Sequence, residues 1–286
     1  MKINQQHLIK LKQLFKDKKE SVFPINSLQS VSNFIFDFDG VLLKECNVIE
    51  HGYAWLIRAA RENNFNTDDL AINSHDLEQA FVIRPQVKGK SQAEKITIVN
   101  KKYGNLKLTA TSIEQIISTW AGTIFTNFIL QQFGDNPENY LLPGAKGFLK
   151  EAQQIGKVFG LTANIQPQAE FLMKFVGLAN YFDEIVGFPI EIEKNKHHNK
   201  KKMLLRLMEK HKLEQRQTCY IGDSASDIKS GQEAGVFTIG IANNYANGAK
   251  LIEQGCDLLA TSMAAYAEIL KWLTSLRKTE SVKQAF

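Results

Sequence analysis

The chain has 286 residues, 44% hydrophobic and 23% charged, the composition of an ordinary soluble globular protein long enough for one large domain or two smaller ones. No apolar run approaches the ~18–20 residues needed to cross a bilayer, and the first residues lack the uninterrupted apolar stretch of a signal peptide, so no membrane association is expected. The net charge of +5 permits an anionic substrate without indicating nucleic acid, and the odd, scattered cysteines Cys46, Cys219 and Cys256 argue against a disulfide framework or zinc site and suit a reducing cytoplasm.

In chain order, residues 1 to about 20 read as a lysine-rich amphipathic helix with Leu8, Leu11, Leu14 and Phe15 on its apolar side. Pro24 and the Asn/Ser-rich segment after it read as a linker. Residues 31–39 form an apolar strand buried on both faces, which implies a parallel sheet covered by helices. From Asn47 the character becomes helical: residues 51–61, 76–82, 91–102 and 113–130 carry apolar positions three and four apart. Cap-like starts stand at Thr67, Asn73 and Thr109. Turn signals at Asn136-Pro137 and Leu142-Pro143-Gly144 close this insert. Beyond it, helix and strand alternate. Strands are predicted at 157–162, 182–186, 218–223, 236–241 and 258–259, and helices at 145–154, 167–177, 200–211, 226–234, 250–254 and 263–276. Such alternation implies right-handed βαβ units and a parallel sheet.

Three of these strands run into polar groups: Asp37 and Asp39 on the first, Thr162 on the second, Asp223 on the third, with Asp227 one helical turn later. In a parallel sheet these ends share one edge, where open α/β sheets bind ligands. Several carboxylates there repel one another unless a cation joins them, and hard oxygen donors suit Mg²⁺.

These motifs give the chain a resemblance to the haloacid dehalogenase-like (HAD) hydrolase superfamily, and within it to the phosphoglycolate phosphatase and β-phosphoglucomutase branch. The matching pieces are Asp37-Phe38-Asp39-Gly40-Val41, Thr162-Ala163-Asn164, a lysine ahead of a helix, and Gly222-Asp223-Ser224-Ala225-Ser226-Asp227. The resemblance implies a Rossmann-like α/β core with an inserted α-helical cap. The corresponding division is a basic N-terminal helical extension and linker over 1–30, a core over 31–44 and 141–286, and a helical cap over 45–140. It further implies hydrolysis of a small phosphorylated metabolite, with Asp37 as nucleophile and Asp39 as acid and base. Mg²⁺ would be held by Asp37, Asp223 and the Asp39 main-chain carbonyl, with Asp227 orienting that site. Thr162, Ala163 and the lysine would hold the phosphate. Lys200 is the first choice for that lysine, with Lys201 and Lys202 as rivals. In the cap, Arg84, Lys88, Lys90 and Ser91 are the candidates for substrate contact, since the Gly-containing stretch 87–91 is similar to the segment relatives use. A second aspartate at position 39 favours phosphate ester chemistry over dehalogenation. A phosphosugar mutase and a non-catalytic binding protein are the alternatives, and no nucleic-acid partner is expected.

Overall fold

The structure, a computed structural model, describes residues 5–17, 22–25, 31–65, 72–87, 90–189, 200–270 and 273. Seven strands form one sheet: β1 (Val22–Pro24), β2 (Asn33–Phe36), β3 (Lys157–Ile165), β4 (Glu184–Phe188), β5 (Thr218–Gly222), β6 (Phe237–Ile241) and β7 (Leu258–Ala260). Their order is β1-β7-β6-β5-β2-β3-β4, parallel throughout except that β1 pairs antiparallel with β7. The chain steps from β2 to β3 and β4 on one side, then returns to β5 on the other. β2 therefore lies at the point where strand order reverses, the usual ligand crevice of an open α/β sheet.

β2 is buried on both faces, and its alternation sends side chains two ways. Phe34 and Phe36 meet the helix α7 (Ala145–Ile155), where the Phe36 and Phe148 rings cross edge to face with centroids 5.1 Å apart. Ile35 points to the opposite layer and joins Leu204, Leu207 and Met208 of α9 (Lys200–His211). The remaining core helices are α8 (Gln166–Phe175), α10 (Ala225–Ala234) and α11 (Tyr245–Gln254). The N-terminal helix α1 (Gln5–Lys16) packs Leu11 among Leu251, Ile252 and Leu259.

Between β2 and β3 lie α2 (Val48–Arg61), α3 (Ser74–Val87), α4 (Gln92–Tyr103), α5 (Ala110–Thr119) and α6 (Phe125–Phe133). The helices α2 to α5 have a core of their own, with Trp55, Ile57, Ala80, Ile83, Val99 and Ile117 among its buried residues, while Phe125, Phe128 and Ile129 of α6 join the main core with Phe34 and Phe36. Asn73 and Thr109 cap α3 and α5 as expected; the predicted start at Thr67 lies outside the described residues. The chain crosses between helices and sheet through two adjacent segments: Leu43 bridges Leu141, the Lys44 amide donates to the Tyr140 carbonyl, and the Leu142 amide donates to the Leu42 carbonyl.

Several expectations are corrected. Residues 22–24 are an edge strand instead of linker, a place where Pro24 is tolerated because it has no N–H to leave unpaired in a central ladder. β2 ends at Phe36, before the aspartates, because the chain turns there. α3 continues through Pro85, and α11 begins five residues earlier than predicted, capped by Asn244 accepting from the Asn247 amide. The predicted helix over 113–130 is helical throughout but holds a π turn, Trp120–Ile124, between α5 and α6.

Candidate active site

The parallel register brings the polar ends together. Phe36 pairs with Gly160 on one side and Ile221 on the other, so the residues just beyond share an edge: Asp37 from β2, Thr162 from β3 and Asp223 after β5. Asp37 is 6% exposed and Thr162 is fully buried. Lys200, the first residue of α9, reaches in from the side. Its Nζ donates to Asp37 Oδ2 at 2.7 Å and to Asp227 Oδ1 at 2.6 Å. Lys201 instead pairs with Glu233 at 3.4 Å, away from the aspartates. Neighbouring residues on a helix point about 100° apart, so only one of three consecutive lysines can face the cluster.

Asp227 is fixed by its helix. Ser224 caps α10, its Oγ accepting from the Asp227 amide, while Asp227 Oδ2 accepts from the Ser224 amide and hydroxyl in a capping box. Tyr220 O–H adds a bond to Asp227 Oδ1 at 3.2 Å. Gly40 adopts φ +73°, and a Cβ there would lie 2.1 Å from Asp223 Oδ2, so the turn after β2 needs glycine for its conformation and for the approach of Asp223. Asn247 Nδ2 holds the Asp223 carbonyl at 2.6 Å, and Asn243 Nδ2 ties the Gly40 carbonyl at 3.2 Å to Asp223 Oδ2 at 3.4 Å. Asp39 faces elsewhere: its Oδ2 accepts from Asn164 Nδ2 at 2.9 Å. Asn164 also donates to Thr162 Oγ1 through its side chain at 3.1 Å and its amide at 3.2 Å.

One lysine charge serves two buried carboxylates, and they do not share it equally. Burial disfavours the Asp227 anion, but the Lys200 charge and the bonds from Lys200 and Ser224 hold its pKa below the usual carboxylate range. Asp37 is pushed up to about 8 by burial, which the Lys200 charge only partly offsets, and by Asp227 and Asp39 nearby. Asp223 is raised to about 7 by burial, then by Asp227 and Glu45. Burial also raises Asp39. Burial opposes the charge on Lys200, yet Asp37, Tyr220 and Asp227 hold its pKa well above the ordinary value. Oxygens of Asp37, Asp223 and Asp227 all lie within 4.8 Å of one another. An uncompensated group of hard oxygen donors fits a magnesium ion. Asp227 belongs to this carboxylate grouping, and the Asp39 carboxylate lies outside it, turned toward Asn164; the donor expected of Asp39 is its main-chain carbonyl.

Residues 31–235 match the sequence profile of the haloacid dehalogenase-like hydrolases. The chain belongs to that family. It is 28% identical over 151 residues to a phosphoglycolate phosphatase of Vibrio vulnificus, a match that covers 52% of this chain and spans only 64% of that relative's length. A phosphoglycolate phosphatase of Vibrio parahaemolyticus is 22% identical over 249 residues, covering 85% of this chain and 97% of the relative. A β-phosphoglucomutase structure from Clostridium difficile superposes with a TM-score of 0.58 at 20% identity, over 86% of this chain and 98% of that one, a likeness of fold.

In this HAD-like hydrolase a cavity of about 810 Å³, bounded by the helical insert, lies beside the aspartate cluster and is joined to it through Lys200. Ala163, Asn164 and Lys200 line its floor; Lys90 and Ser91, both expected near substrate, stand on its wall with Lys95. Ser91 Oγ is engaged in capping α4, accepting from the Glu94 amide and donating to Glu94 Oε2. Arg84 does not line the cavity: it pairs with Glu50, whose carboxylate is 2% exposed and could not be buried without such a partner. Lys88 lies outside the described residues. Sequence reasoning assigned no role to Asn164, Asn243, Asn247, Tyr220, Lys95 or Gln168. Asn164 closes the motif Thr162-Ala163-Asn164 and Asn243 follows β6 closely, whereas Asn247 lies within α11, where nothing in the sequence marks it.

Proposed function

We propose that this chain is a Mg²⁺-dependent phosphomonoester hydrolase acting through an aspartyl-phosphate. The observation that carries the reading is the divergence of Asp37 and Asp39. Two carboxylates one residue apart occupy unlike surroundings, Asp37 in the charged cluster with Lys200 and Asp39 apart on Asn164. A pair of acids separated in this way can divide nucleophilic from proton-transfer work.

Asp37 attacks phosphorus, and the bond to the leaving oxygen breaks as protonated Asp39, its pKa raised by burial, delivers a proton to that oxygen. Asp39 then takes a proton from water, which attacks the aspartyl-phosphate and releases phosphate and free Asp37. Thr162, whose oxygen already accepts from Asn164, donates a hydrogen bond through its hydroxyl to a phosphoryl oxygen, joined by the Ala163 amide. Lys200 supplies a positive charge to the transferring group and keeps Asp37 in place. Asp37, Asp223 and the Asp39 main-chain carbonyl would hold magnesium, with Asp227, saturated by Lys200, Tyr220 and Ser224, orienting them. When bound, the metal supplies charge that offsets the repulsion between nucleophile and phosphate.

Residues 45–140 are read as a cap over a core of 31–44 and 141–286, preceded by an extension over 1–30. The separate hydrophobic core of α2–α5 supports this division. The substrate is read as a small phosphorylated metabolite. Three free thiols fit a cytoplasmic setting, and no helix among the described residues is long and apolar enough to cross a membrane.

The test is phosphate release from a panel of phosphomonoesters, including phosphoglycolate, with magnesium and with a chelator. Magnesium-dependent release supports the reading. Interconversion of a phosphosugar without release would replace it with the mutase, and absence of turnover with every substrate would favour a binding protein.

A further inference from the structure

The cavity that Lys200 joins to the aspartates contains a polar group without a partner. Gln168, in the first turn of α8, is 6% exposed, and its Nε2 is buried without a hydrogen-bond acceptor while the residue lines the cavity. A buried amide donor in this state is costly unless a ligand supplies the acceptor. Lys95 on α4 lines the same cavity and has no carboxylate partner among the described residues; burial lowers its ammonium pKa. Trp120, Tyr53 and Phe125 give the cavity an aromatic surface. Trp120 begins the π turn and rests against Gly52, where a Cβ would lie 2.0 Å from the indole ring. The helix thus carries a local irregularity where its side chain enters the cavity, a frequent setting for functional π turns.

Resting on the phosphomonoesterase reading above, we propose that Gln168, Lys95 and Trp120 form a leaving-group subsite for a flat ring with hydrogen-bond acceptors on its edge, as in a nucleoside 5′-monophosphate. The phosphoryl group lies at Asp37 and Lys200, the ring stacks on Trp120, and ring carbonyl oxygens accept from Gln168 Nε2 and Lys95 Nζ. Three features favour this class over a two-carbon phosphate. A cavity of about 810 Å³ far exceeds a two-carbon leaving group. Such a group would leave the aromatic wall uncovered, whereas a planar ring covers it face to face. The two-carbon group would also leave Gln168 Nε2 without an acceptor.

The test compares uridine 5′-monophosphate, glucose 6-phosphate, phosphoglycolate and acetyl phosphate as substrates of the full chain with magnesium. The nucleotide should exceed phosphoglycolate and the hexose phosphate in kcat/KM by at least about tenfold. Gln168→Leu and Trp120→Ala should each lower kcat/KM for the nucleotide about tenfold more than for acetyl phosphate, which has no ring, as expected for a lost buried hydrogen bond or stacking surface. A preference for phosphoglycolate or the hexose phosphate, or equal losses on both substrates, overturns the subsite. Calorimetric binding to the Asp37→Asn protein separates this from failure of the hydrolase reading. If nothing is hydrolysed, tighter binding of the nucleotide than of inorganic phosphate, weakened by Gln168→Leu, still supports the subsite, and binding no tighter than phosphate overturns it.

Discussion

Lys200 sets the character of Asp37 by failing to neutralise it. Asp227 holds four donors, so the lysine charge is largely committed there, and Asp37 keeps a raised pKa that favours meeting a cation. Asp37→Asn preserves shape and a bond to Lys200 while removing the nucleophile. Phosphate release should fall by at least about 10⁴-fold with the melting temperature nearly unchanged, and surviving activity would sink the covalent route. Gly40→Ala drives a methyl into Asp223 and strains the turn, so the magnesium concentration for half-maximal activity should rise about tenfold or more. An unchanged magnesium titration would remove Asp223 from the metal site. The acids were legible in the sequence because carboxylates following an apolar strand have few other reasons to be there. Lys200 was legible only to within three consecutive lysines, since spacing does not reveal which way a helix is turned. Gln168 and Asn243 were invisible: amides near strand ends serve ordinary turns just as well.

The elements hold these groups by local means that can be perturbed singly. Ser224 both caps α10 and bonds Asp227, so Ser224→Ala should cost about 1 kcal/mol in denaturant unfolding and also lower kcat as Asp227 loses its anchor. Loss of stability alone, with kcat intact, would separate the cap from the site. Gly122 lies inside the π turn, where an added Cβ meets nothing within 4 Å. Gly122→Ala should therefore stabilise the protein by roughly 0.5–1 kcal/mol, read as a higher denaturant midpoint. A lower midpoint would show that the turn requires glycine's freedom. Apolar spacing revealed helix over 113–130 but not the wider turn, because one extra residue hardly changes the period over so short a length. α11 starts at Tyr245, ahead of the predicted 250, because Asn244 caps it, although Asn244, Asn247 and Gly248 are residue types common in turns.

Across the whole molecule, the parallel sheet was legible from the alternation of strand and helix, and the shared edge from three polar strand ends, whereas the strand order was not, since any order of parallel strands puts those ends on one edge. β1 escaped because a three-residue strand holding proline carries almost no pattern. The edge has a thermodynamic signature. Asp37 and Asp223 have pKa values raised to about 8 and 7, so the metal-free protein keeps their favourable contribution in acid and loses it as pH rises from about 4 through these values. Asp227, with its lowered pKa, acts in the opposite sense and loses its contribution only in strong acid. Magnesium should therefore raise the melting temperature far more at pH 8 than at pH 5, and an equal shift at both would mean that the aspartates do not bind it. The paired crossing at Leu43 and Leu141 bears on the order of folding. β2 must find β3 across a loop of more than a hundred residues, an entropy of closure of about 4 kcal/mol for a flexible chain. Helices that first gather around Trp55 and Val99 deliver the two crossing segments side by side, and the central strands then meet as though joined by a short connection. An isolated peptide covering 44–141 should accordingly show a helical circular-dichroism spectrum, and a coil spectrum would reverse that order.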